Sequence, residues 1–287
     1  MIHRVADFSG IEVVTYCVMS NHFLVLIRID SESKQISDGE LVRRYRSLYP
    51  SGGAYQQMKP HVLEELLSNG GEEARGIRER MVKRMGDVSE YMKTLKQRFT
   101  VYYNQNHQRF GTLWAERFKS VLVEPENKTI LAMSAYIDLN PVRAGLVKDP
   151  KDYRFCGYAE ALAGGIGARR GVAMALMGYP GKGGRKALAQ YRMVLYGVGA
   201  QATKEGVRVL DKEKTLSVLE KEKGRVPLSA LLRCRLRYFT DGMVLGSQVF
   251  LESRMKRENA RLRQVPIAEE DGVRIFVGKG FRGAVVS

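Results

Sequence analysis

The chain is poor in cysteine, proline and tryptophan: its 287 residues include three cysteines, eight prolines and one tryptophan. Cys17, Cys156 and Cys234 are far apart in sequence, and an odd count without close pairs argues against a disulfide framework and against a zinc site. A reducing, cytoplasmic setting is the expectation. No apolar run approaches the roughly 20 residues of a membrane span. The N-terminal MIHRVADFSG lacks a signal-peptide pattern. There is no repeat of fixed period, no Walker loop and no Ser/His/Asp signature, and Gly278, Gly280 and Gly283 are too sparse to mark a nucleotide site.

Acidic charge is also in deficit. Against 31 Asp and Glu stand 47 Lys and Arg, a formal net charge of +16. Such a surplus favours a polyanionic partner, nucleic acid ahead of an anionic membrane surface. The plainer alternative is a soluble protein that is merely basic. A hydrophobic content of 44% is enough to build a core, so the chain is not of the disordered class. The length suits one large domain or two of ordinary size.

Two runs organise the rest. The first, Val13–Arg28, reads as two strands broken at Ser20–Asn21, with Val13, Val14, Tyr16, Val18, Phe23, Val25 and Ile27 suited to a half-buried pleated surface. His22 is expected at the start of the second strand, on the same face as Leu24. The second run is AYIDLNPVRAGLV, Ala135–Val147. Tyr136 and Asn140 are four apart there, on one face of a helix predicted over 128–139 and ended by Asn140–Pro141. Ile130, Met133 and Ile137 supply its buried stripe.

Other helices are predicted at 1–8 (ended by Ser9–Gly10), 40–49, 61–67 and 72–86. The clearest opens at Asp87, with Glu90 three residues on, and carries the stripe Val88, Tyr91, Leu95, Phe99, Tyr102. Its other faces are basic and include Arg98. The polar loop behind it holds His107 and Arg109, and Trp114, Arg117, Phe118 and Lys119 lead into a strand at 120–123. Interleaved rings and cations suit single-stranded nucleic acid, whose bases stack and whose phosphates need countercharge; Trp114 and Phe118 equally suit a core. The segment from Val142 to Tyr158 reads as a return across the sheet.

Glycine-rich stretches after Ala163 mark a boundary near residue 164, before a basic and mostly helical remainder. Residues 228–257, with RYFTDGMVLGSQVFLESRMKR toward their end, have the outline of a helix-turn-helix with Ser247 as helix cap. Residues 265–287 read as a glycine-rich hairpin or a loose tail.

SNHF after a strand, WAERFKSVLVE, and AYIDLNPVRAGLVKDPKDYRFCGYAEAL recur in order. Together they resemble the single-tyrosine HUH transposases, in particular the REP-associated tyrosine transposases, over roughly residues 1–163. The resemblance implies an α+β fold: a ferredoxin-like antiparallel sheet with helices on one face, lacking an N-terminal strand that similar transposases carry, and followed by a helical accessory domain at 164–287. It places Tyr136 at the nucleophile, which attacks single-stranded DNA at hairpin-flanked sites and forms a 5′-phosphotyrosine link. It implies Mg²⁺ or Mn²⁺ at the phosphate, held by His22 and by the side-chain oxygen of Asn140. Arg143 stands close by as a phosphate contact.

The family's strand pattern is asparagine, histidine, a hydrophobic residue, histidine. Asn21, His22 and Phe23 match it; Leu24 stands where the second histidine belongs and has no lone pair to give. The partner implied is single-stranded or hairpin DNA, with no membrane and with a homodimer as one assembly. Three functions remain open: an active transposase, a relative that binds structured DNA without cutting, and a general basic nucleic-acid-binding protein.

Overall fold

The computed structural model describes residues 1–29, 36–50, 58–176, 184–199, 244–247, 249–250, 253, 263–270 and 273–279. The chain divides into two compact units: 1–13 with 27–118, and 14–26 with 119–287. The division runs through β1 (Ile11–Val18) and β2 (Phe23–Ile29), which pair as a two-stranded antiparallel sheet. The Met19 N–H bonds the His22 carbonyl at 2.8 Å and closes the two-residue turn Ser20–Asn21, which leaves His22 one residue ahead of β2.

In the first unit, α1 (Ile2–Ser9) buries Val5 and Phe8 and ends on Gly10, whose left-handed backbone (φ 63°) lets its N–H reach the Ala6 and Asp7 carbonyls. A Cβ at Gly10 would also meet the Arg44 guanidinium, which can shift, so the left-handed backbone is what favours glycine here. α2 (Asp38–Leu48) is capped by Ser37 and tied to α1 by Arg43 and Asp7 at 3.0 Å. α3 (Pro60–Asn69) starts with proline in its first turn, where no N–H is needed. With α4 (Gly71–Lys83), these helices bury Leu41, Val42, Leu63, Leu67, Ala74 and Met81 in one cluster. α5 (Val88–His107) is capped by Asp87, whose carboxylate accepts from the Glu90 N–H at 2.8 Å. Its predicted stripe is buried at Tyr91 and Leu95 but surfaces toward the far end, where Tyr102 is exposed.

In the second unit, β3 is only Leu122–Val123. α6 (Asn127–Asp138) is buried on all sides from Leu131 to its end, not along a stripe alone; a helix apolar all round belongs inside a core. α7 (Asn140–Arg143) restarts the helix with Pro141 in its first turn. The return to the sheet is one residue pair wide. The Val18 N–H bonds the Phe155 carbonyl at 2.9 Å, and Cys17 bridges Cys156 in antiparallel fashion. α8 (Gly157–Leu162), α9 (Ile166–Ala175) and α10 (Gly184–Gly199) then complete the core around α6.

The core therefore runs on from Val14 through α6 to Tyr196, across the boundary expected near residue 164. Among the described residues beyond α10, three strands are found. β4 (Val244–Gly246) pairs parallel with β3, and β5 (Arg263–Glu270) and β6 (Val273–Lys279) form an antiparallel hairpin, in the order β3-β4-β6-β5. Most of the helix-turn-helix outline lies outside the described residues, and Val244–Gly246 within it is a strand. Ser247 does accept the Phe250 N–H as a cap, at 3.3 Å.

Candidate functional site

The helix break at Leu139 places three of the expected residues in one stretch. Tyr136 lies in the last turn of α6; Asn140 and Arg143 bound the four residues of α7. The Arg143 guanidinium sits 5.0 Å from the centre of the Tyr136 ring and donates to the Tyr136 carbonyl at 3.5 Å. Tyr136 is only 3% exposed. Burial pushes its phenol above the usual value, and the Arg143 cation offsets that in part. Burial in turn lowers the pKa of Arg143. Asn140 is buried too, and its side-chain N–H₂ has no hydrogen-bond partner. An unpaired buried amide is uncommon, because each such group forfeits its hydration.

His22 is differently placed. It is exposed at the hairpin turn, with Nδ1 2.7 Å from the Asn21 side-chain oxygen. Its neighbours Met19 and Leu24 pack against the core cluster that contains Tyr136. Leu24, where the resemblance expects a second histidine, is thus a partly buried side chain packed against the core. The donors on hand are one imidazole and one amide oxygen. Mg²⁺ and Mn²⁺ prefer oxygen ligands in a near-octahedral set, and these two groups do not make one. Among the described residues no three His, Cys, Asp or Glu side chains cluster as metal ligands.

The residues expected to meet DNA separate by role. In the first unit Arg98 is half-buried, its guanidinium 5.3 Å from the centre of the Tyr49 ring. Trp114 lies along α5, its indole N–H shared between the Lys96 carbonyl at 3.2 Å and Thr100 Oγ1 at 3.0 Å. Arg109 and Arg117 are exposed there, and Lys119 is exposed in the second unit.

The strongest polar site of the second unit went unread in the sequence. Asp138, next to the helix break, is fully buried. Its carboxylate accepts from Thr15 Oγ1, 3.0 Å from each oxygen, from the Tyr158 N–H at 3.1 Å and from the Tyr191 hydroxyl at 2.6 Å. Desolvation outweighs these donors and pushes its pKa up to about 6. A second buried carboxylate, Asp149, accepts from the Tyr196 hydroxyl and from the Lys151 N–H at 3.1 Å. The available signal was an aspartate inside an apolar run: an acid there is buried only when paired. Nearby, Cys17 is buried and its thiol pushed up to about 12, chiefly by desolvation.

Among the described residues no helix is long and apolar enough to cross a membrane. Comparison with known protein families, with curated proteins and with solved structures finds no match to this chain.

Proposed function

We propose that the chain is a DNA-binding relative of the single-tyrosine HUH transposases in which strand cleavage is lost or severely weakened. It binds single-stranded or hairpin DNA through its basic surface. The observation that carries this reading is Leu24, a partly buried aliphatic side chain packed against the core where the family's pattern has a second imidazole. Three further features support it. The phenol at the nucleophile position is buried and its pKa is raised, which disfavours the phenolate that attack on phosphorus needs. The expected donors are one imidazole and one amide oxygen, so a divalent cation would depend on water and substrate phosphate for the rest of its set. The net charge of +16 favours a phosphate-bearing partner independently of any cleavage chemistry.

The test is a cleavage assay on a hairpin-flanked oligonucleotide with Mn²⁺, scored by the covalent protein–DNA adduct. Wild type should bind the oligonucleotide and form little adduct. Leu24→His should raise adduct formation, and adding Tyr136→Phe should abolish it. Strong wild-type cleavage that needs Tyr136 would make the chain an active transposase. Binding without any adduct in wild type or Leu24→His, with RNA bound as well as hairpin DNA, would leave a general nucleic-acid-binding protein.

A further inference from the structure

The second half of α5 and the loop behind it carry more aromatic surface than packing requires. Phe99 is the hub: its ring centre is 5.8 Å from Trp114, 6.0 Å from Tyr103 and 6.5 Å from Tyr102. Tyr103 lies 4.1 Å from the His107 ring, and Lys96 Nζ sits 5.1 Å over Trp114. The loop is fastened back along the helix. Gln108 turns the chain through a left-handed conformation (φ 51°), and the Arg109 N–H bonds the Asn104 carbonyl at 3.0 Å. The Asn104 amide donates to the Gly111 carbonyl at 2.8 Å, and Lys96 Nζ to the Glu116 carbonyl at 2.9 Å. With the Trp114 indole bonds, these contacts hold the segment on both sides of its tip. At that tip stands Phe110, 95% exposed, while Tyr102 on the helix is 56% exposed.

A phenylalanine held almost wholly in water on a well-anchored loop gains nothing from folding. The segment that carries it is one-sided in charge: between Thr94 and Phe118 the sequence has Lys96, Arg109 and Arg117, besides the Arg98 that lies against Tyr49, and the single carboxylate Glu116. We propose that this surface is a stacking platform for unpaired bases of single-stranded DNA, with Phe110 and Tyr102 as the exposed rings and Arg109 and Arg117 as phosphate contacts. The proposal deepens the DNA-binding reading above and rests on it. Duplex DNA keeps its base faces hidden in the stack, whereas every unpaired base offers a π-face to a ring. The platform therefore selects for strandedness with little regard to sequence.

The experiment uses the full chain and labelled oligo-dT, a blunt duplex of equal length and oligo-U, read by fluorescence anisotropy. Base–aromatic stacking is worth about 1–3 kcal/mol per base by alanine substitution, so Phe110→Ala and Tyr102→Ala should each weaken oligo-dT binding by about 5- to 150-fold. Phe110→Trp and Tyr102→Phe should retain affinity, and duplex binding should change little in all four. Unchanged thermal unfolding would confirm that these exposed side chains are not structural. Quenching of the one tryptophan, Trp114, on oligo-dT addition gives a reading in the wild type itself. A parallel loss with oligo-U supports the platform, because stacking does not read the sugar. If wild type binds oligo-dT and the alanine variants bind it equally well, or lose strand and duplex alike, the platform is wrong while the DNA-binding reading stands. If wild type binds none of the three, the DNA-binding reading itself is wrong.

Discussion

The Tyr191 hydroxyl donates to the Asp138 carboxylate at 2.6 Å across a sequence separation of 53 residues. Thr15 on β1 and the first turn of α8 donate to the same group. One buried acid thus joins the hairpin strand, the tyrosine-bearing helix, α8 and α10, and Tyr196, further along α10, repeats the arrangement at Asp149. The stretch holding Tyr136, Asn140 and Arg143 is positioned by these contacts as much as by apolar packing.

Removing one donor should be costly. Hydrogen bonds to charged groups contribute about 1.5–3 kcal/mol, and a buried acceptor left unpaired keeps its full desolvation penalty. Tyr191→Phe should therefore destabilise the protein by about 2 kcal/mol, measured as a lower urea midpoint at neutral pH. A change near zero would mean that water replaces the phenol and that α10 is not anchored there.

Asp138 also predicts a pH dependence of unusual sign. Its pKa is raised to about 6 in the folded state, from an unfolded value of 3.8. Between those values the folded state binds the proton and the unfolded state does not. Stability from this group is then complete below about pH 4 and is lost as pH rises through about 6, a swing of about 3 kcal/mol. Glu40 works the other way: held down to about 2 first by Arg43 and then by Arg44, it loses its contribution only as pH falls from 4.5 toward 2. Asp138→Asn preserves the shape, and the facing hydroxyls can turn to accept its N–H₂. Unfolding of this variant followed from pH 4 to 7 should lack the decline that the wild type shows.

How much of this was legible in the sequence depended on where the decisive contacts lie. The α5 start at Asp87 and the Gly10 stop are written in adjacent residues and form as expected, whereas the helix expected to end at Asn140–Pro141 breaks at Leu139 and restarts as α7. The burial of α6 on all sides is set by α8, α9 and α10, which no local pattern announces. The expected boundary near residue 164 followed glycine composition, yet Tyr191 and Tyr196 reach back past it to Asp138 and Asp149. Of the candidate site, the spacing put Tyr136 and Asn140 on one helix; the structure breaks that helix at Leu139 and brings Arg143 against the Tyr136 ring. Phe110 carried no signal in sequence, because exposure on an anchored loop is a property of distant hydrogen bonds.

Gly157 is where β1 and the start of α8 approach most closely. A Cβ there would lie 2.3 Å from Thr15 Oγ1 and 3.2 Å from the Tyr16 backbone nitrogen. The hydroxyl cannot swing away without giving up Asp138, and the backbone cannot move without opening the hairpin. Overpacking of this kind costs about 1–3 kcal/mol. Gly157→Ala should unfold at lower denaturant, and Gly157→Ala with Thr15→Gly, which makes room at the cost of a donor, should lose less than the sum of the two single losses.

Salt dependence distinguishes the cations that meet DNA from those that hold the fold. Each single-strand phosphate neutralised by a cation contributes about 0.7 to the slope of log affinity against log salt. Arg109 and Arg117 are exposed and form no ion pair among the described residues, so their charge is available to a backbone. Arg98 is half-buried against the Tyr49 ring, where its charge is committed to packing. Arg109→Ala and Arg117→Ala should each lower the slope for oligo-dT by about 0.7 and leave the urea midpoint unchanged. Arg98→Ala should do the reverse, lowering the midpoint and sparing the slope. A wild-type slope near zero would remove phosphate from the list of partners, whatever the net charge.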